Sequence, residues 1–270
     1  MSRAPILTLT TDFGTEGPYV ASMKGVVLGL APGTQFVDVS HSIAPQNVFE
    51  GAFVLAEVVE TFPSGTVHLA VVDPGVGTDR RLIAVSVADQ WFVLPDNGLI
   101  TGVLRGRSPS GVWEIVNPAI RRAKVSATFH GRDILAPAAA HLLQGGDPRE
   151  LGPPRTSVVT LRNFDPTVTE DAIVGEVIFR DAFGNLITNV SAEWLEGTSA
   201  DDWTVEISGR KIHGISRTYG DSPPGSLVVL FGSNGWLEIA LVNGDAARLL
   251  SAGPGTTVWV RRPPRAGTGS

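Results

Sequence analysis

The sequence contains no cysteine among its 270 residues. This absence excludes disulfide bonds, thiolate zinc sites, iron–sulfur clusters and a cysteine nucleophile, and it favours a reducing compartment. A basic surplus is also lacking, because 27 acidic residues outnumber 21 lysines and arginines and give a formal net charge of -6. That charge argues against nucleic acid as the main partner.

Long apolar runs are missing as well. No apolar stretch approaches the roughly 20 residues that span a bilayer. The first residues pass from a short polar leader into an apolar run, with no signal-peptide core or cleavage site. We therefore expect a cytoplasmic protein with no membrane partner. The hydrophobic fraction of 43% and the charged fraction of 18% are typical of a globular chain.

Common catalytic and nucleotide-binding motifs are absent too. The chain has no Walker loop, no Gly-x-Gly-x-x-Gly after its first strand and no Gly-x-Ser-x-Gly elbow. Its five histidines show no pair at the local spacing of a metal site. The sequence therefore predicts neither a metal centre nor a dinucleotide site of the usual kind.

Apolar residues in the first half alternate between the periods of strands and helices. Strands are predicted near 6–11, 36–39 and 67–72, and helices near 19–30, 48–62 and 134–143. This order predicts a parallel sheet covered on both faces. The expected fold class is α/β, with a Rossmann-like N-terminal domain and a mainly parallel sheet.

A run of helix- and strand-breaking residues, GGDPRELGPP at 145–154, indicates a linker. The segments after it are short and β-like with tight turns, which predicts a small antiparallel barrel or sandwich. We expect an α/β domain over 1–160 and a smaller antiparallel β-barrel domain over 161–270, with a loose tail at 261–270.

Polar clusters follow the predicted strands of the first half, where an open α/β sheet places its sites. Asp12 follows the first strand. An aspartate there either accepts hydrogen bonds from both hydroxyls of a ribose or caps a turn. Asp73 follows the third strand and opens a glycine-containing loop that Arg80 or Arg81 closes. This loop indicates either a ligand site or a surface ion pair.

A third cluster stands just before the later helix. Asp133 is the expected N-cap of that helix. His130 precedes it, and a histidine there either faces a pocket or is simply hydrogen-bonded.

Two further clusters occupy predicted hairpin turns of the second half. Phe183 and Asn185 either stabilise their turn or contact a nucleobase by stacking and hydrogen bonding. Ser233 and Glu238 flank the second turn and offer polar groups to a ligand.

In this order, six segments resemble one known family. They are TTDFGTEGPYVASMKG, VDVSHSIAPQNVFEGAF, VVDPGVGTDRR, FHGRDILAPAAAHL, RDAFGNLITN and GSNGWLEIA. Together they resemble the SAM hydroxide adenosyltransferases, also called SAM hydrolases, where SAM is S-adenosyl-L-methionine. The fluorinase and chlorinase enzymes are relatives of that family. The resemblance covers nearly the whole chain, and it implies a homotrimer with active sites between subunits.

The resemblance also implies roles for individual residues. Asp73, Arg80 and His130 fall on the catalytic set that handles the attacking water. Asp12 falls on the position that binds the ribose hydroxyls. The remaining substrate-binding positions, for adenosine or the methionine portion, are Phe183, Asn185, Tyr219, Ser233, Glu238 and Leu241. The resemblance implies that SAM is the substrate, and we expect no cofactor and no metal.

The activity that the resemblance implies is hydrolysis of SAM to adenosine and L-methionine, by SN2 attack of an activated water at C5′. We hypothesise that Asp73 and His130 accept hydrogen bonds from this water, while Arg80 favours its hydroxide character and holds Asp73. One alternative is a halide-using adenosyltransferase, which the negative charge of Asp73 disfavours. A second alternative is a sensor that binds adenosine or SAM without turning it over.

Overall fold

The chain forms two compact units. The computed structural model describes residues 4–195 and 199–261. The first unit ends at Arg162 and the second begins at Asn163. Residues 262–270, most of the predicted tail, lie outside the described residues. None of the helices in the described ranges combines the length and the apolar content needed to cross a bilayer.

The first unit combines a six-stranded sheet with α-helices. In chain order its elements are β1 (Ile6–Thr11), α1 (Tyr19–Leu30), β2 (Gln35–Ser40), α2 (Val48–Ala56), β3 (Val67–Val71), β4 (Leu82–Val87), β5 (Gln90–Pro95), β6 (Gly111–Glu114) and α3 (Ala136–Leu143). A π-helical turn, Gly131–Leu135, leads directly into α3.

The strand order of this sheet is β2-β1-β3-β5-β4-β6. The first four strands in that order run parallel, whereas β4 and β6 are antiparallel to their neighbours. The unit is therefore mixed α/β, and the Rossmann-like assignment stays a prediction. The sequence analysis missed β4, β5 and β6. The β4–β5 turn has Ala88 and Asp89 at φ 51° and 58°, so it lacks the glycine that marks most such hairpins.

Both faces of this sheet are covered. All five residues of β3 are buried, as the apolar run predicts for a central parallel strand. Met23 of α1 packs in the cluster on one face and Leu55 of α2 in the cluster on the other. Helix α2 ends at Ala56 rather than at the predicted Phe62. The side-chain amide of Gln90 donates to two carbonyls of the residues that follow α2, at 2.9 and 2.7 Å, and so stabilises a turn there.

The predicted linker at 145–154 is wrong. Leu151 is fully buried in the core of the first unit. Its carbonyl accepts the Val116 N–H at 2.9 Å, and the Pro153 carbonyl accepts the Glu114 N–H at 3.0 Å. The end of this segment therefore lies along β6 as part of the first unit. Its glycines and prolines form turns within a domain and do not mark a boundary.

The second unit contains one antiparallel sheet. Its elements are β7 (Thr167–Val168), β8 (Ala172–Arg180), β9 (Leu186–Ser191), β10 (Thr204–Ile207), β11 (Arg210–His213), β12 (Leu227–Phe231), β13 (Trp236–Leu241), α4 (Ala246–Leu250) and β14 (Thr257–Arg261). The order is β11-β10-β14-β8-β9-β13-β12, with β7 paired to β8. Ser216, just after β11, bridges Leu230 of β12. The sheet therefore nearly closes into a barrel around an apolar core that includes Trp203.

His68 is a fully buried histidine in the middle of β3. Its Nε2 lies 2.8 Å from Oε1 of Gln90, and its Nδ1 lies 2.7 Å from Oγ1 of Thr8. The ring also stacks on Phe92 with 4.6 Å between centroids. Burial lowers the pKa of His68 to about 4. The ring is therefore neutral at pH 7 and belongs to the core.

We expect His68 to make the protein less stable in acid. Between pH 6.5 and about 4, the unfolded chain binds a proton here that the folded chain does not. The free energy of unfolding therefore falls as the pH falls through this window, by about 3 kcal/mol at most. His68→Asn removes this titration and flattens the curve, whereas the exposed-site control His213→Asn leaves it unchanged. Urea denaturation at a series of pH values measures the effect, and identical curves for wild type and His68→Asn would contradict it.

Candidate functional site

The carboxyl ends of β1 and β3 meet at one edge of the first sheet. Thr11 pairs with Val71 in the parallel register of these strands. Asp12 and Asp73, which follow the two strands, therefore lie at the same edge. Asn97, after the neighbouring strand β5, donates from Nδ2 to the carbonyl just before Asp73 at 2.8 Å. This bond ties the ends of β3 and β5 together.

A buried ion pair between Asp73 and Arg80 lies at this edge. Arg80 Nε donates to both carboxylate oxygens of Asp73, at 2.6 and 2.8 Å, and Arg80 Nη2 also donates to Oδ2. The side chain of Arg80 is 9% exposed and that of Asp73 is 5% exposed. Solvent therefore screens the attraction between the two charges only weakly. The loop between them needs Gly77, where φ is 81° and a Cβ would lie 2.6 Å from the Ala127 carbonyl oxygen.

His130 is the third member of this cluster. Its Nδ1 lies 3.0 Å from Nη2 of Arg80. A guanidinium can only donate, so Nδ1 accepts this bond and the neutral ring carries its hydrogen on Nε2. Burial, and next the positive charge of Arg80, lower the pKa of His130, against an opposing effect of Asp73. The expectation that His130 accepts a bond from the attacking water is therefore corrected, because Nδ1 is occupied and Nε2 is a donor.

Arg81 lies outside this cluster. Its Nε donates to Oδ2 of Asp96 at 2.7 Å, and Oδ1 of Asp96 accepts the Val159 N–H at 2.7 Å. Of the two arginines that close the loop, only Arg80 bonds to Asp73 and His130 within the described residues.

Asp133 is not an N-cap, contrary to the prediction. It lies inside the π-helical turn that follows His130 and is fully buried. Its carboxylate accepts bonds from Arg132, from Arg122 and from the Ser126 N–H, at 2.7 to 2.9 Å. The bond from Arg132 is the largest cause that holds the pKa of Asp133 well below its usual range. The ionised carboxylate thus fixes the turn next to the histidine.

Asp12 has one carboxylate oxygen available for a ligand. Its Oδ2 accepts the Gln46 N–H at 2.8 Å, and no hydrogen bond from the described part of the chain reaches Oδ1. Three aromatic rings that the sequence analysis did not single out pack nearby, namely Phe13, Tyr19 and Phe129, with centroids 5.4 to 5.9 Å apart. They join the loop after β1 to the start of the π-helical turn. Phe13 and Phe129 are sequence neighbours of Asp12 and His130, and this position could have identified them as residues of the same site.

The second unit has a cavity of about 680 Å³ beside the β8–β9 turn. Four residues predicted to bind substrate line it, namely Phe183, Asn185, Tyr219 and Leu241. Phe183 is 79% exposed, so its ring is accessible to a ligand. Asp181 also lines the cavity and was not predicted. It accepts bonds from the backbone N–H and from Nδ2 of Asn185, at 2.8 and 2.9 Å, and so orients that side chain.

Ser233 and Glu238, at the β12–β13 hairpin, do not line this cavity. Glu238 contacts it indirectly, because its Oε2 accepts the Tyr219 hydroxyl at 2.6 Å. Burial and this bond raise the pKa of Tyr219. Ser233 bonds only to its neighbour Asn234 among the described residues, at 3.1 Å. Within residues 4–195 and 199–261, no group of three or more histidine or acidic side chains is arranged to hold a metal ion.

Comparisons with known proteins agree with one another over most of the chain. The family model of the SAM hydroxide adenosyltransferase N-terminal domain matches residues 7–152, and that of the C-terminal domain matches residues 175–259. A Thermus thermophilus protein named (R)-S-adenosyl-L-methionine hydrolase is 41% identical over 257 residues, covering 92% of this chain and 96% of the relative. A fluorinase of an Actinoplanes species is 31% identical over 219 residues, covering 71% and 74%. The crystal structure of an uncharacterized conserved protein from Thermotoga maritima superposes with a TM-score of 0.88 at 36% identity, covering 95% of this chain and 100% of that one.

We expect Asp133→Asn to destabilise the protein strongly. The substitution removes the charge of a fully buried carboxylate, which is the one acidic group paired with Arg122 and Arg132 among the described residues. Because Arg122 and Arg132 are partly exposed and stay hydrated, the loss comes from weaker hydrogen bonds at the buried position, and we expect about 1–3 kcal/mol of unfolding free energy. The control is Asp38→Asn, the same change in a half-exposed pair with Lys24, where we expect a loss of about 1 kcal/mol or less. Urea denaturation compares the two, and equal losses would show that Asp133 does not hold the turn.

Proposed function

The chain belongs to the SAM hydroxide adenosyltransferase family, and on this premise we propose that it hydrolyses S-adenosyl-L-methionine to adenosine and L-methionine. The observation that supports this reaction in the structure is the buried Asp73–Arg80–His130 cluster at the carboxyl edge of the sheet. Relatives named (R)-S-adenosyl-L-methionine hydrolase are more similar to this chain than relatives named fluorinase. Water is therefore the nucleophile that we assign.

The reaction is a displacement at C5′ of the substrate. A water oxygen forms a bond to C5′, the C5′–S bond breaks, and its electron pair goes to sulfur. Methionine leaves as a neutral thioether, because the sulfonium already carries a positive charge. The leaving group therefore needs no acid and no metal. The water loses one proton to become the 5′-hydroxyl of adenosine, so the protein must position and partly deprotonate the water.

We assign the positioning and the deprotonation of the water to these three residues, according to the hydrogen bonds that each one makes. Asp73 accepts a hydrogen bond from the water and draws its proton away, since in the part of the chain that the structure describes Oδ1 accepts only from Nε of Arg80 and keeps a second lone pair. His130 donates from Nε2 to the water oxygen and fixes its direction of attack. Arg80 orients both partners through one guanidinium.

Substrate binding is assigned to the positions that the family resemblance implies. Asp12 accepts the ribose hydroxyls through its available Oδ1. Phe183 stacks on the adenine ring, and Asn185 bonds to a polar edge of adenosine. The remaining contacts are assigned to Tyr219, Ser233, Glu238 and the backbone near Leu241. Tyr219 and Glu238 bond to each other, which would fix a polar pair for the adenosine or methionine portion.

We further propose that the enzyme is a cytoplasmic homotrimer whose active sites lie between subunits and that it needs no cofactor. The trimer rests on the family resemblance. The lack of a cofactor rests on the chemistry of the sulfonium leaving group. Light scattering during size-exclusion chromatography gives the mass in solution, and a monomer would remove the shared sites from the proposal.

Incubation of the purified protein with SAM in halide-free buffer tests the proposed reaction. We expect adenosine and methionine to appear in equal amounts. A product that forms only when chloride or fluoride is added would assign a halide-using enzyme. Heat of SAM binding without any product would assign a sensor.

Asp73→Asn is expected to lower kcat by about 10²–10⁴-fold with little change in KM, because it removes the base but not the substrate contacts. Asp96→Asn is the matched control, since Asp96 also pairs with an arginine close to the same edge but does not bond to the cluster. It should change stability and leave kcat per folded molecule nearly unchanged. Full turnover by Asp73→Asn would exclude Asp73 from the mechanism.

We expect kcat to fall in acid through His130. Burial and Arg80 lower the pKa of this histidine, so the ring is neutral at pH 7 and is protonated only below its usual range. Protonation places a hydrogen on Nδ1 and breaks the bond from Arg80, so kcat drops about tenfold per pH unit below that pKa. His130→Asn supplies an acceptor and a donor that do not titrate, and its kcat profile should lack this acid limb. An unchanged limb in this variant would assign the titration to another group.

A further inference from the structure

A second polar cavity lies in the first unit, on the segment after β6 and on the π-helical turn. It measures about 430 Å³ and is lined by Arg122, Lys124, Ser126 and Arg132. None of these residues has a part in the reaction proposed above. Because three of the four lining residues are cations, the electrostatic character of the cavity is that of an anion site.

The positive charge of this cavity is only partly balanced. Among the described residues, Asp133 is the one carboxylate bonded to its cations. Oδ1 of Asp133 accepts from Arg122 and Arg132 at 2.9 and 2.7 Å, and Oδ2 accepts from the Ser126 N–H and Arg132 at 2.9 and 2.8 Å. Lys124 makes no ion pair and no hydrogen bond in the described part of the chain. One negative charge therefore faces three positive charges.

Both guanidinium groups also keep N–H donors for a ligand. The bonds to Asp133 use Nη1 of Arg122 and both Nε and Nη2 of Arg132. Within the described residues, Nε and Nη2 of Arg122 and Nη1 of Arg132 have no acceptor. The two side chains are 46% and 30% exposed, so these donors are accessible from solvent. Guanidinium forks next to a lysine ammonium are the usual ligands of phosphate oxygens.

We propose that this cavity binds a phosphate group. The two unbalanced positive charges match the charge of nearly -2 that a phosphate monoester carries near neutral pH. Ser126 adds a hydroxyl donor beside the cations. Asp133 holds both arginines in place before the ligand arrives, which reduces the ordering cost of binding. A purely structural role for Arg122 and Arg132 would explain their bonds to Asp133, but it leaves unpaired Lys124 and the cavity beside it without a reason.

The phosphate could come from two sources, inorganic phosphate or the phosphoryl group of a nucleotide. Isothermal titration calorimetry with inorganic phosphate and with cytidine 5′-monophosphate separates them, and the cytidine base avoids the proposed adenosine site. We expect binding with a dissociation constant of about 1 mM or lower. Equal affinities would assign recognition of phosphate alone. Tighter binding of the nucleotide would assign a nucleoside phosphate.

Lys124→Glu tests the position of the site. This exposed substitution should weaken binding by about tenfold or more, because it removes one charged donor and adds a repelling carboxylate. Lys211→Glu makes the same charge change at an exposed lysine of β11 in the other unit and should leave the affinity unchanged. Circular dichroism confirms that both variants are folded.

Two results would overturn the proposal. One is the absence of binding of either ligand at about 10 mM, a concentration well above the expected dissociation constant. The other is equal binding by wild type and Lys124→Glu. If wild type does not bind and Lys124→Glu changes the oligomeric mass, carboxylates of a neighbouring copy occupy the cavity and the phosphate site is excluded. The assay contains no SAM, so its failure is distinct from a failure of the proposed hydrolysis.

Discussion

The guanidinium of Arg80 connects parts of the chain that are distant in sequence. It binds the Asp73 carboxylate after β3 through Nε and Nη2, and it reaches Nδ1 of His130 before α3. Because a guanidinium can only donate, this one group holds the Asp73 carboxylate and also selects the Nε2–H tautomer of neutral His130. Separate partners for Asp73 and His130 would not fix the two side chains relative to each other. The orientation of the proposed catalytic groups therefore depends on this single side chain.

Part of this arrangement follows from the order of the strands. Parallel neighbours end at the same edge, so a β-α-β pattern predicts that Asp12 and Asp73 come together. The choice between Arg80 and Arg81 did not follow from the sequence. The two residues immediately precede β4, and their side chains reach different carboxylates. The two residues are of the same type, so the sequence does not distinguish them, and the folded backbone decides which one bonds to Asp73.

Two errors of the sequence analysis share a cause, which is that local patterns were interpreted without their distant partners. An aspartate before a helix usually caps it. Asp133 instead lies inside the helical turn, where its carboxylate accepts hydrogen bonds from Arg122 and Arg132. The breaker-rich segment 145–154 reads as a linker, but Leu151 completes the core and its backbone bonds lie along β6. In both cases a tertiary contact outweighs a local preference of about 1 kcal/mol.

The charges of the cluster also favour water over a halide in the proposed reaction. Asp73 and Arg80 cancel, and His130 is neutral, so the cluster offers no net positive charge to an anion. A halide would lose its hydration shell and meet the Asp73 carboxylate at close range. A water molecule is neutral, donates to Asp73 and accepts from Nε2–H of His130 at the same time. As the water attacks C5′, a proton of the water moves towards the carboxylate of Asp73, the same group that repels a halide. In the proposed mechanism, the charge at position 73 therefore decides which nucleophile the site accepts.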